Sequence, residues 1–158
     1  MFKYRLWLLT ALIMLATSVA WAGQKACTML WCQEGFNANF KGNDWPAGEY
    51  HFTITMDSQQ IKCKGSLPLK SCDKPNVECD SDIVTIGESG CALPDGHSFS
   101  GITSKTIPKH FSLIMTQETG KSFSFDNDVA RQCSYPNGKQ CDAHQCCSAS
   151  LDINIAWQ

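Results

Sequence analysis

The chain has 158 residues, 43% of them hydrophobic and 18% charged, with a formal net charge of −2 and ten cysteines. The near-neutral charge and the lack of a Lys/Arg cluster argue against a nucleic-acid or anionic-membrane surface. A chain of this length predicts one domain with a modest core.

Residues 1–22 read as a secretory signal peptide. Lys3 and Arg5 supply a positive start, Leu6 to Leu15 an apolar run, and Ala20-Trp21-Ala22 a small-x-small cleavage site. That run is short for a membrane span and no second one follows, so no stable span is expected once it is cleaved. The mature chain would begin at Gly23. Removing 22 of the 158 residues leaves 136, and losing Lys3 and Arg5 leaves 11 basic against 15 acidic side chains, a net charge of −4.

Cys27 to Lys41 carries Met29, Leu30, Trp31, Phe36 and Phe40 without a clean period, and is read as a first strand tied by a small loop. Gly42 to Gly48 is turn chemistry around Trp45-Pro46. In Glu49 to Lys64, Tyr50, Phe52, Ile54 and Met56 alternate with His51, Thr53 and Thr55, which predicts a half-buried strand. Asp57 to Gln60 would be the loop and Ile61 to Lys64 the return strand of a hairpin. Short strands are expected at Val77–Asp80, Ile83–Ile86 and His97–Ile102, with Gly87 to Gly96 a loop ending in a Pro94-Asp95-Gly96 turn. Lys109 to Thr116 and Lys121 to Asp126 form a second alternating pair. The segment from Arg131 to Cys147 holds four cysteines and the turn Tyr135-Pro136-Asn137-Gly138. Leu151, Ile153, Ile155 and Trp157 close the chain as a strand with one wet face.

No helical period is sustained after the leader. The pattern predicts an all-β fold: a small, disulfide-rich antiparallel β-sandwich, immunoglobulin-like or related, over residues 23–158.

Export makes disulfides the default state of Cys27, Cys32, Cys63, Cys72, Cys79, Cys91, Cys133, Cys141, Cys146 and Cys147. Short loops favour Cys27–Cys32, Cys63–Cys72 and Cys79–Cys91, with the last four pairing among themselves. The neighbours Cys146 and Cys147 would take different partners, because adjacent strand residues face opposite ways.

Several chemistries compete with a purely structural reading. Cys141-x-x-His144-x-Cys146 has ligand types for zinc or copper, but an oxidising compartment consumes the thiols, so no metal and no cofactor are expected. Glu78, Asp80 and Asp82, and Asp126-Asn127-Asp128, offer oxygens of the kind calcium takes; charges that guard a strand edge explain both groups. Gly87-Glu88-Ser89-Gly90 is similar to the run around the nucleophile of chymotrypsin-like serine proteases, and His51, Asp57 or Asp80, and Ser89 follow their His-Asp-Ser order. The likeness covers four residues, and 136 residues are too few for that two-barrel fold. No Cys-x-x-Cys occurs, so a thioredoxin-like oxidoreductase has no motif.

The remaining lead is an exposed contact surface. Trp45, flanked by Asp44 and Pro46, and Tyr135 and Asn137 in the Pro-Asn-Gly turn are its candidate residues. The expectation is therefore a non-catalytic binding module, periplasmic in a Gram-negative cell or secreted, whose partner is another protein. An inhibitor or immunity-type protein is its concrete form. An envelope-associated structural subunit is the alternative, and a small secreted hydrolase comes third.

Overall fold

The computed structural model describes residues 26–42, 44–93 and 96–158. The proposed signal peptide, Asn43 and the Pro94-Asp95 half of the predicted turn lie outside the described residues. Among those described there are ten strands and no helix: β1 (Gly35–Lys41), β2 (Gly48–Met56), β3 (Gln59–Leu67), β4 (Glu78–Cys79), β5 (Val84–Ser89), β6 (Ser98–Ser104), β7 (His110–Gln117), β8 (Ser122–Asp128), β9 (Gln132–Ser134) and β10 (Cys146–Asn154).

They form two five-stranded sheets, ordered β5-β6-β1-β10-β9 and β4-β3-β2-β7-β8. One core is shared by both, so the fold is the expected disulfide-rich β-sandwich. Every neighbouring pair is antiparallel except β1 with β10, which run parallel from Gly35↔Ser148 to Lys41↔Asn154. That pairing puts the C-terminal strand inside its sheet, between β1 and the three-residue edge strand β9.

Alternation builds the core. Tyr50, Phe52, Ile54 and Met56 of β2 face inward beside Phe111, Leu113 and Met115 of β7 and Ile61, Cys63 and Leu67 of β3. The other sheet contributes Phe36, Ala38 and Phe40 of β1, Phe99 and Ile102 of β6, and Ala149 and Ile153 of β10. The β2–β3 hairpin is tighter than predicted. Met56 pairs with Gln59, so the loop is only Asp57-Ser58, with φ +55° at Asp57, a conformation Asp tolerates. The Asp57 carboxylate also accepts from the Lys109 and His110 amides (2.9 and 3.0 Å), joining the turn to the start of β7. Where a loop was expected after Gly87, β5 continues to Ser89 across a register shift at Gly87/Glu88. Opposite it, Gly101 sits at φ +153°, where an added Cβ would lie 2.3 Å from the Ala38 carbonyl oxygen. Close approach of β6 to β1 demands glycine there.

All ten cysteines are paired: Cys27–Cys141, Cys32–Cys146, Cys63–Cys79, Cys72–Cys91 and Cys133–Cys147. The three local closures favoured by loop length are all corrected, and Cys133–Cys147 alone lies within the last four. Strand pairing is the reason. Cys63 lies directly opposite Cys79 in β3–β4, and Cys133 opposite Cys147 in β10–β9. Cys146 and Cys147 do take different partners, as alternation requires.

On the outer face of the second sheet, His110 sits between Asp128 (Nδ1–Oδ1 2.9 Å) and Asp126 (Nε2–Oδ2 3.1 Å). Hydrogen bonds to Asp128 and then Asp126 raise its pKa above the usual histidine value. A raised folded-state pKa stabilises the fold fully below the unfolded value of about 6.5 and loses that contribution as pH rises through the folded value. The stability difference between wild type and His110→Asn should therefore shrink on going from pH 6 towards 8. A ring titration followed by NMR with its midpoint at or below the unfolded value would contradict this.

Candidate functional site

The exposed apolar surface is concentrated at the head of the segment read as a first strand tied by a small loop. Residues 26–34 form no strand; β1 begins only at Gly35. In this N-terminal arm Met29 is 99% exposed, Leu30 60% and Trp31 91%. Three consecutive large apolar side chains in water are unusual for a folded surface.

The arm is held from three directions. Cys27 and Cys32 flank the triplet, bonded to Cys141 and Cys146, each across 114 residues of sequence. The equal spans mean that the arm and the cysteine-rich loop run the same way, continuing the parallel β1–β10 pair beyond its end. At Gly35 (φ +115°) the arm turns into β1, and an added Cβ would lie 2.4 Å from the Ser104 carbonyl oxygen.

Asn137 is the third clamp. Its Oδ1 accepts from the Leu30 amide (2.7 Å) and the Thr28 hydroxyl (2.9 Å), and its Nδ2 donates to the Leu30 carbonyl (3.0 Å) and to Asp142 Oδ1 (2.8 Å). The amide's two acceptor and two donor positions are thus all used. Asp142 also accepts from the Asn137 main-chain N–H (2.8 Å). The turn beneath closes with the Gly138 amide on the Tyr135 carbonyl (2.9 Å), as the Pro-Asn-Gly sequence predicted.

The three residues singled out from sequence lie in different settings. Trp45 is half-buried, its ring 5.3 Å from Phe99, 5.8 Å from Phe40 and Trp157, and 5.9 Å from Tyr50. It plugs one end of the sandwich rather than projecting from a loop. Beside it the Tyr50 hydroxyl donates to the Pro46 carbonyl, and burial, then the charge of Asp44, pushes its pKa up to about 12. Tyr135 is half-buried with Lys139 Nζ 5.9 Å above its ring. Asn137 belongs to the site as the clamp behind the exposed triplet. The triplet itself was read as part of a first strand tied by a small loop, and not as a contact surface; the overlooked signal was Met-Leu-Trp framed by two cysteines.

The other candidates do not converge. His51 lies on the exposed face of β2 with its ring 3.0 Å from Glu49, whereas Ser89 ends β5 in the other sheet. A hydrogen bond from Lys64 holds the Glu49 carboxyl below its usual range against a smaller opposing effect of desolvation; the Lys64 and His51 charges add to it. Asp80 accepts from the Lys62 amide (3.0 Å), pairing β4 to β3 at the edge. Glu78, Asp80 and Asp82 do not gather: among the described residues no group of three His, Cys, Asp or Glu side chains could hold a metal ion. A shallow cleft of about 230 Å3 beside the arm is lined by Glu34, Asn37, Asp82, Thr103 and Lys105 among others. Among the described residues no helix is long and apolar enough to cross a membrane.

No family model, no curated protein and no solved structure matches the chain.

Proposed function

We propose that this is an exported, non-catalytic binding module that acts on another protein through the Met29-Leu30-Trp31 loop. The observation that carries the reading is the exposure of three consecutive large apolar side chains on an arm clamped by two disulfides and Asn137. Keeping such side chains in water is costly, and trapping them in one rigid arrangement removes conformational freedom before a partner arrives. Pre-organisation of this kind converts directly into affinity, and Trp is among the commonest hot-spot residues. Five disulfides suit an oxidising extracytoplasmic compartment. The leader-like residues 1–22 favour the periplasm of a Gram-negative cell or release from it.

The test is capture of a partner from the organism's own extracytoplasmic fraction. The oxidised protein, carrying a photo-crosslinker at Met29, is expected to yield one specific adduct. The same bait with Leu30→Ser and Trp31→Ser should lose it. An adduct that survives these substitutions, or none from a bait with all five bridges intact, sinks the proposal.

A further inference from the structure

We infer that the arm is a substrate-like plug for the active-site cleft of an endopeptidase that accepts large apolar side chains, with Trp31 as the residue entering the specificity pocket. The inference rests on the binding reading above and names the class of partner.

The size of the apolar surface is the first argument. The other large exposed apolar residues, Leu93 and Ile114, lie outside the arm, after β5 and on β7. A stable interface needs roughly 800 Å2 from each partner, more than a tripeptide can bury against a flat surface. A cleft that encloses the arm on several sides buries more of these three side chains than a flat surface does, and its walls reach the neighbouring residues that must supply the rest of the area.

The main chain supplies the second argument. Asn137 occupies both the amide and the carbonyl of Leu30. Among the described residues no hydrogen bond engages the main chain of Met29 or Trp31. In an extended chain, neighbouring residues aim their N–H and C=O groups to opposite sides. With both Leu30 groups held by the clamp, the Met29 and Trp31 main-chain groups on either side are left unengaged among the described residues. That is the pattern a peptide-binding cleft grips by strand addition. Leu30 cannot be the gripped residue, because its groups are taken, and of its two neighbours Trp31 has the larger side chain for an apolar slot.

Resistance to cleavage is the third. Cys27 and Cys32 are bonded on either side of the triplet, so the two halves of a cut arm would remain tethered to the cysteine-rich loop. Tethered ends stay where religation and rebinding are fast, which is what separates an inhibitor from a substrate.

The experiment titrates the oxidised protein into chymotrypsin-type, subtilisin-type and thermolysin-type endopeptidases, with a trypsin-type enzyme as control, and reads hydrolysis of a small chromogenic peptide. Competitive inhibition is expected for at least one apolar-specific enzyme and not for the control. Trp31→Ala should weaken it about 100-fold. Asn137→Ala, whose fold is checked by near-UV circular dichroism, should be cut between residues 28 and 32 faster than wild type. Lack of inhibition of all three apolar-specific enzymes overturns the inference, as does inhibition unchanged by Trp31→Ala. If the Met29 crosslink captures a loop-dependent partner that is not a peptidase, this inference falls while the binding reading stands. If loop dependence is missing as well, both fall.

Discussion

Replacing Cys27, Cys32, Cys141 and Cys146 together with serine is expected to destabilise the protein by about 7 kcal/mol, more than any single core substitution. The two bridges join the same pair of segments, each across 114 residues. Removing one pair leaves the other in place, so the unfolded chain regains only a ring of about 12 residues, worth about 3 kcal/mol in the chain-entropy account. Removing both also releases the long loop, worth a further 4–5 kcal/mol or so. The double loss should therefore exceed the sum of the two single losses by about 1–2 kcal/mol. Denaturant unfolding of the three variants, with the remaining bridges verified by mass, measures this directly. Strict additivity would mean that the bridges constrain the chain independently and that the small shared ring contributes nothing of its own.

Phe99→Ala should cost about 3–5 kcal/mol. Phe99 is 1% exposed and meets Trp45, Tyr50 and Phe52 edge-on at 5.3, 5.3 and 5.1 Å. It belongs to β6 in one sheet, and Tyr50 and Phe52 to β2 in the other, so its ring spans the sandwich. Truncation removes that apolar area, three edge-to-face contacts and the filling of the space between sheets. The urea midpoint should fall with the slope unchanged. Ile114→Ala, on the exposed face of β7, should stay within about 0.5 kcal/mol of wild type. A Phe99→Ala loss below about 1 kcal/mol would mean that the two sheets are not packed through this cluster.

The parts of the fold that were legible in advance are those with strict period-two alternation. Tyr50 to Met56 and Phe111 to Met115 face inward as read, and Phe123 lies buried on the returning strand. Strands without alternation were misjudged at their ends. β10 begins at Cys146, where cysteines masked the pattern, and β5 runs on through Gly87, whose turn chemistry instead serves a register shift. Trp45 was singled out as a contact residue because Asp44 and Pro46 flank it in a loop; loop chemistry describes the backbone and says nothing about where an indole ring goes. The exposed triplet failed in the opposite sense. Met29, Leu30 and Trp31 are apolar enough for a core, yet the clamps at Cys27, Cys32 and Asn137 hold the segment outside it.

By itself the sequence determined an all-β sandwich and the oxidation of every cysteine, because alternation and cysteine count are local, countable properties. Tertiary structure alone decided the pairing of the cysteines, the parallel partnership of β1 with β10, and the identity of the exposed surface. Each depends on which distant segments lie side by side. Loop-closure entropy favours near neighbours, but in the folded chain the pairing of β1 with β10 sets Cys27 and Cys32 beside Cys141 and Cys146, and that outweighs the preference.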